Sequence, residues 1–475
     1  MNVMLTMSSF IFPLITFPYV SRILQPIGMG KVSFATSLIS YFSLFAQLGI
    51  PTYGIRACAR VRDDKTELTR VVHELLMINL LMDIFTYLAL AAALIWIPRL
   101  QEDRTLYIVM SFTIILTSIG MEWLYKGLEQ YTYITVRSII FKFVALIAMF
   151  LLVHRSADYV IYSGITILAA SASNIFNLFN ARRYIGFHPV GHYNIRRHLK
   201  PILVFFAMSC ATTIYTNMDT VMLGFLTTNM DVGYYNAAVK IKQVLVSIVT
   251  SLGTVLLPRA AYYIEQGEKE RFYSISNKAL NFVFFSALPL TVFFIMFAKP
   301  TIYFLAGSAY EGSIVPMQLI MPTLLFIGIT NILGIQILVP LGREKIVLYS
   351  EIVGAVVNLI INTLLIPTYA ASGAALGTVM AEFAVLVVQY IALRDDVKKS
   401  FMSIKYWKFA GAIILGTVGS YWIVCFKWGN FLTLLIAAIL FFSIYGCVLL
   451  LTKEKMMLEI FEQLLKTIVR KKVIS

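Results

Sequence analysis

Lys and Arg crowd every second connection along a series of about fourteen apolar segments, and few chain architectures satisfy that pattern. A helix needs about 20 apolar residues to cross the hydrocarbon of a bilayer. The candidate spans are residues 3–20, 33–53, 75–97, 106–124, 133–153, 159–179, 202–226, 238–257, 279–297, 315–339, 347–366, 370–393, 407–426 and 431–451. Lipid leaves backbone polar groups no partner outside the chain, so only helices or closed barrels span it. Period-2 alternation is absent, which argues against a barrel. The expected fold class is therefore all-α: a polytopic membrane protein with about 14 transmembrane helices.

Apolar residues make up 59% of the chain and charged residues 13%, far from a soluble domain. The net charge of +15 does not point to nucleic acid, because its placement has a simpler cause. Of the 39 Lys and Arg residues, 27 fall after even-numbered spans or in the C-terminal tail, and 7 fall after odd-numbered spans. Positive charge stays on the cytoplasmic side. Both termini are accordingly expected in the cytoplasm. Val3–Val20 reads as a retained first span rather than a cleaved signal. The chain enters it with no basic lead, as expected of a start that is truncated or chosen late. Cys58, Cys210, Cys425 and Cys447 form no C-x-x-C pair, so neither a disulfide nor a metal site is implied.

The loop at 181–201, with Arg182, Arg183, Arg196, Arg197 and Lys200, divides six spans from the next six. Four regions follow: an N-terminal six-helix lobe at 1–180, the basic cytoplasmic linker at 181–201, a second six-helix lobe at 202–393, and two further helices with a basic tail at 394–475. Six plus six spans suggest two bundles of one topology around a cavity. Pro13, Pro18, Pro289 and Pro322 lie within spans and are expected to bend them. Gly373-x-x-x-Gly377 permits close helix contact.

No phosphate-binding G-x-x-x-x-G-K-[ST], H-E-x-x-H or G-x-S-x-G motif occurs. ATP hydrolysis, zinc-dependent proteolysis and serine hydrolase chemistry lose their usual signatures, and no cofactor or catalytic group is expected. The informative residues are charges at membrane depth, which cost about 2.5–3.5 kcal/mol each and face a polar interior or a partner. Lys142 lies halfway along the fifth span and Arg137 toward its cytoplasmic end. Five residues separate them, roughly 140° around a helix, so both border only a wide cavity. Their chemistry suits an anionic headgroup such as a diphosphate, with snorkelling toward the cytoplasm as the competing role.

Asp219 lies in the outer half of the seventh span, with Lys240 opening the eighth. The pair reads either as a structural salt bridge or as a carboxylate that carries a coupling ion, since a buried carboxylate is a natural proton carrier. Asp83 and Glu382 are further ion-coupling candidates. Arg22 and Arg56 sit at opposite ends of the first two spans, as interface anchors or at the mouths of a transport path.

Several stretches together resemble the Wzx or RfbX-like oligosaccharide flippases of the MOP (MATE-like) superfamily. They are Phe17-Pro18-Tyr19-Val20-Ser21-Arg22-Ile23-Leu24 followed by Gly28-x-Gly30; Tyr53-Gly54-x-Arg56-Ala57-Cys58-Ala59-Arg60; and Glu122-Trp123-x-x-x-Gly127-x-Glu129. Asn217–Gly224, Val232-Gly233-Tyr234-Tyr235-Asn236-Ala237-Ala238, Leu333–Gly342 and Gly373–Thr378 complete the set. The chain departs at Ala57-Cys58, where the family more often has an acidic-apolar pair. The resemblance implies two six-helix lobes that alternate access between the membrane faces. It implies a polyprenyl-diphosphate-linked oligosaccharide as cargo, held in a cationic cavity, and a proton or sodium ion as the energy source. Arg22, Arg56, Lys142, Asp219 and Lys240 carry over by position. It also implies a bacterial cytoplasmic membrane, surface polysaccharide synthesis such as O-antigen or capsule, and a polysaccharide polymerase with chain-length machinery as neighbours.

Two other classes compete. A drug or small-cation exporter of the same superfamily would favour acidic residues in the N-terminal lobe, whereas the mid-depth charge of the fifth span is Lys142. A membrane polymerase or glycosyltransferase would predict a long outer loop rich in Arg or a cytoplasmic acidic motif, and the outer connections here are short.

Overall fold

The computed structural model describes residues 2–426, 428–459 and 461–462, without the side chains of residues 2–14 and of a few other helical positions. Most of the basic C-terminal tail therefore lies outside the described residues, as does the side chain of Pro13. Among the described residues 87% is helix and no strand is present. Ten helices are long and apolar enough to cross a membrane, or eleven if one bent pair is a single span. The chain is a multi-pass membrane protein.

The helices run α1 (Asn2–Gln47), α2 (Ile50–Arg60), α3 (Lys65–Trp96), α4 (Pro98–Gln101), α5 (Arg104–Gly120), α6 (Glu122–Gly127), α7 (Tyr131–Leu152), α8 (Tyr159–Ile167), α9 (Asn174–Ala181), α10 (Arg196–Leu226) and α11 (Asn229–Glu265). They continue as α12 (Lys269–Met296), α13 (Ala298–Leu305), α14 (Ile314–Ile320), α15 (Thr323–Thr330), α16 (Glu344–Ala392), α17 (Arg394–Ser403), α18 (Tyr406–Tyr421) and α19 (Asn430–Leu451). Two of them join segments that the sequence separates. α1 breaks at Gln25 (φ 61°) and α16 at Ala370 (φ 45°), each a non-helical residue inside a continuous run. Pro289 sits inside an unbroken α12. Pro322 sits at the start of α15, where the chain bends by 45°.

The chain forms two compact units, Met1–Asn236 and Ala237–Ser475, with the boundary inside α11. In the first unit α3 shows how a membrane helix sorts its faces. Leu75, Asn79, Asp83, Thr86, Leu90 and Leu94 are buried, while Leu80, Leu81, Ile84, Phe85 and Leu88 are exposed to the surroundings. The buried members recur every three or four residues, the spacing of one helix face. Three consecutive members of that face are polar.

The glycines of the resembling stretches mark close helix contacts in this unit. A Cβ on Gly30 would come within 1.7 Å of the Asn229 carbonyl oxygen, and one on Gly233 within 2.1 Å of the Pro26 oxygen. A Cβ on Gly54 would meet the Trp123 ring at 2.7 Å, and one on Gly127 would meet Cys58 Cβ at 2.9 Å. Small residues let membrane helices approach backbone to backbone, which gives these motif positions a packing cause.

The second unit holds the C-terminal pair α18 and α19. Phe293 and Phe297 of the α12 region pack with Phe441, Ala437 and Ile423. Buried Lys408 donates to the carbonyls of Thr452 and Lys453 at the end of α19. A cation there meets carbonyls that have no helical donor and the negative end of the helix dipole.

Candidate polar cavity and its buried carboxylate

Two helices of the first unit turn polar stripes toward a common space, and a third adds one polar residue. On α1 the stripe is Thr36, Ser40, Ser43 and Gln47, on α10 it is Ser209, Thr213 and Asn217, and α5 adds Thr113. Spacings of three and four residues place each stripe on a single helix face. Between them lies a cavity of about 380 Å³, whose lining also includes Gly49 and Pro51. That volume falls in the range of small-molecule sites, about 300–1,000 Å³. Gly49 has φ 76°, and a Cβ there would stand 2.5 Å from the Phe206 nitrogen. Glycine therefore permits both the sharp turn from α1 to α2 and the close approach of α10.

Among the described residues the cavity wall contains no charged side chain. Its polar groups are hydroxyls and amides, which both donate and accept. One of them leads inward. Gln47 Nε2 donates to Ser118 Oγ at 2.9 Å, and Ser118 Oγ donates to Asp83 Oδ1 at 2.9 Å. Asp83 is 2% exposed and its Oδ2 has no hydrogen-bond partner among the described residues. Asn79, one turn earlier, donates to the Ala46 carbonyl at 3.0 Å, while its own Oδ1 has no partner among the described residues.

The other sequence-derived candidates are dispersed. Arg137 on α7 is 8% exposed and lies over the Tyr133 ring at 5.8 Å, with no hydrogen-bond partner for Nε and Nη1 among the described residues. Lys142 is half-buried on the same helix. Neither lines the cavity. Arg22 is exposed and donates to the Pro18 carbonyl at 3.1 Å, within its own helix. Arg56 is exposed on α2. Asp219 is buried on α10 and accepts a 2.6 Å hydrogen bond from the Tyr235 hydroxyl. Glu382 is buried on α16 and Lys240 is exposed on α11, both in the second unit. It is Asp83 that a chain of hydrogen bonds ties to the cavity.

Reading residue by residue for charge passes over Gln47, Ser118 and the polar stripes. The signal that finds them is periodic: hydroxyl and amide side chains recurring every three or four residues in otherwise apolar helices. Tyr235, the partner of Asp219, has no such signal, because it lies 16 residues away on the next helix.

Against known proteins, the chain is 22% identical over 393 residues to a putative O-antigen transporter of Escherichia coli (strain K12), covering 82% of this chain and 94% of that protein. Its fold is similar to that of the lipid II flippase MurJ in an inward closed conformation, with TM-score 0.71, 18% identity, and coverage of 94% and 96%. It is also similar to an inward-facing multidrug resistance MATE family transporter of the MOP superfamily, with TM-score 0.64, 14% identity, and coverage of 82% and 95%. At those identities the two structural likenesses concern the fold. The MatE family profile matches residues 205–364. The polysaccharide biosynthesis protein profile matches residues 1–263, more than half of the sequence, and the chain belongs to that family.

Proposed function

We propose that the protein is a flippase. It moves a polyprenyl-diphosphate-linked oligosaccharide from the inner to the outer face of a bacterial cytoplasmic membrane by alternating access, for surface polysaccharide synthesis. The observation that carries this reading is the uncharged cavity of Thr36, Ser40, Ser43, Gln47, Ser209, Thr213 and Asn217 inside a bundle with an apolar exterior. Glycan hydroxyls donate and accept, and the hydroxyls and amides that share this wall with Ile39, Leu44 and Met110 meet them without the desolvation cost of a buried charge. A cationic cargo would call for carboxylates in that wall. The O-antigen transporter relative supports the same cargo class. The role is transport, not catalysis.

Within this reading the two six-helix lobes, 1–180 and 202–393, are the moving bodies, and 394–475 is an appendage. Arg137, Lys142, Arg22, Arg56 and Lys240 serve the diphosphate, and Arg137 supports that role with two buried N–H groups that lack acceptors among the described residues. Asp219, Asp83 and Glu382 are the carboxylates available to a proton or sodium ion. A polysaccharide polymerase and chain-length machinery are the expected neighbours.

The test uses proteoliposomes that contain a polyprenyl-diphosphate oligosaccharide labelled in its glycan. Gradient-dependent movement of label across the bilayer is expected, together with its loss in Lys142→Ala protein that still inserts normally. Absence of movement, alongside gradient-driven efflux of a small cationic dye, would place the protein among exporters instead.

A further inference from the structure

Asp83 breaks the usual pattern of a buried charge. It is 2% exposed, one carboxyl oxygen is held by Ser118, and the other has no partner among the described residues. Asn79 Oδ1, on the same face one turn before, is also without a donor. Buried polar groups are nearly always satisfied, so each exception asks for a cause. Thr86 Oγ1, one turn after Asp83, also has no partner among the described residues, so the face sets one hydroxyl beside two bare acceptors, and a proton on Asp83 supplies a further donor.

The elements packed against α3 are α1, α2, α4 and α5, and α10 reaches its first turns, where Arg197 and His198 are both held by Glu74. α1 presents Gln47 and α5 presents Ser118, neither of which ionises. On α2, Arg56 and Arg60 are exposed. On α4, Arg99 is occupied by the Gly224 carbonyl and Asn229. On α3 itself, Tyr87 donates to the Ser111 carbonyl. No cation compensates an ionised Asp83 among the described residues, and what supports it is the chain of donors that runs in from the cavity. Gln47 lines the cavity and gives its Nε2 to Ser118, which leaves Oε1 as the acceptor of that amide.

We propose that Asp83 is the proton site of this cavity and that cargo reads it through Gln47 and Ser118. A glycan hydroxyl that donates to Gln47 Oε1 polarises the amide and strengthens its N–H as a donor to Ser118. Ser118 in turn becomes a stronger donor to Asp83. Hydrogen bonds in series reinforce one another in a low dielectric. Glycan in the cavity thus favours the ionised carboxylate and releases a proton to cavity water. By reciprocity, protonation of Asp83 weakens glycan binding. Proton and glycan exclude each other, as exchange of one for the other requires. This inference rests on the flippase reading and adds to it the residue that holds the ion and the path by which the two occupants sense each other.

Two measurements test it. In proteoliposomes with a labelled polyprenyl-diphosphate oligosaccharide, wild-type translocation should respond to an imposed pH gradient. Asp83→Asn should translocate at a rate that ignores the gradient, and Asp83→Glu should restore the response. Ser118→Ala should displace the pH profile. In nanodiscs, infrared difference spectra over a pH titration should contain a protonated-carboxyl band that Asp83→Asn removes. Millimolar N-acetylglucosamine should shift that band to lower pH. A gradient response in Asp83→Asn equal to wild type, or a carboxyl band unchanged by that substitution, overturns the proposal. Absence of wild-type translocation overturns the flippase reading instead, and the infrared titration then still decides whether Asp83 takes the proton.

Discussion

Glu74 and Asp83 stand nine residues apart on α3, both buried, with opposite surroundings. Glu74 is fully buried and accepts from the Asn194 backbone N–H at 2.6 Å, from Arg197 Nε and Nη2 at 2.9 and 2.7 Å, and from His198 Nε2 at 2.6 Å. His198 passes the network on, because its Nδ1 accepts from the Tyr53 hydroxyl at 2.8 Å. Arg197 also reaches Glu67 at 2.7 Å, and His73 holds Tyr193 and the Gly186 carbonyl. These bonds fasten the basic segment 186–198 to the start of α3. Asp83 has one hydroxyl donor and one bare oxygen. Burial does not separate the two carboxylates, but completeness of partners does. A saturated carboxylate holds structure, and an unsaturated one has room to change its protonation.

The largest effect should come from Glu74→Ala. It strips Arg197 and buried His198 of their shared acceptor, and breaking such a pair costs about 3 kcal/mol, the low end for buried pairs because Arg197 is partly exposed. A fall in the thermal midpoint of the detergent-solubilised protein would register it, and a midpoint equal to wild type would mean that the network does not clamp the segment. His198→Phe should cost less, about 1–2 kcal/mol, since it removes one donor to Glu74 and the acceptor of Tyr53 while Arg197 stays in place. Loss of stability equal to that of Glu74→Ala would shift the weight of the clamp onto the histidine. Asp83→Asn should be smallest, within about 1 kcal/mol of wild type, because no charged partner is orphaned. If it unfolds the protein as readily as Glu74→Ala does, the contrast between the two carboxylates collapses.

The apolar runs make the helices legible in the sequence because crossing a bilayer demands length and hydrophobicity, and both are local properties. Helix breaks at Gln25 and Ala370 fall at or near the gaps between expected spans. The motif glycines Gly30, Gly54, Gly127 and Gly233 are visible as a pattern, but their cause is not. Each is explained by a backbone or side chain from a distant segment at less than 3 Å from where a side chain would begin. For the site, charge at membrane depth draws attention to Lys142 and Arg137, neither of which lines the cavity. The neutral stripes draw none, since single serines and threonines are ordinary in membrane helices.

The sequence by itself determined that this chain is a helical, multi-pass membrane protein, because hydropathy along a span is a sum over neighbouring residues and needs no fold to evaluate it. Tertiary structure decided which polar residues meet. Gln47, Ser118 and Asp83 come from three helices, 71 and 35 residues apart along the chain, and become a hydrogen-bonded series only when α1, α3 and α5 pack. Hydrogen bonds depend on distance and direction to an ångström, and the linear order of residues holds neither until the helices dock.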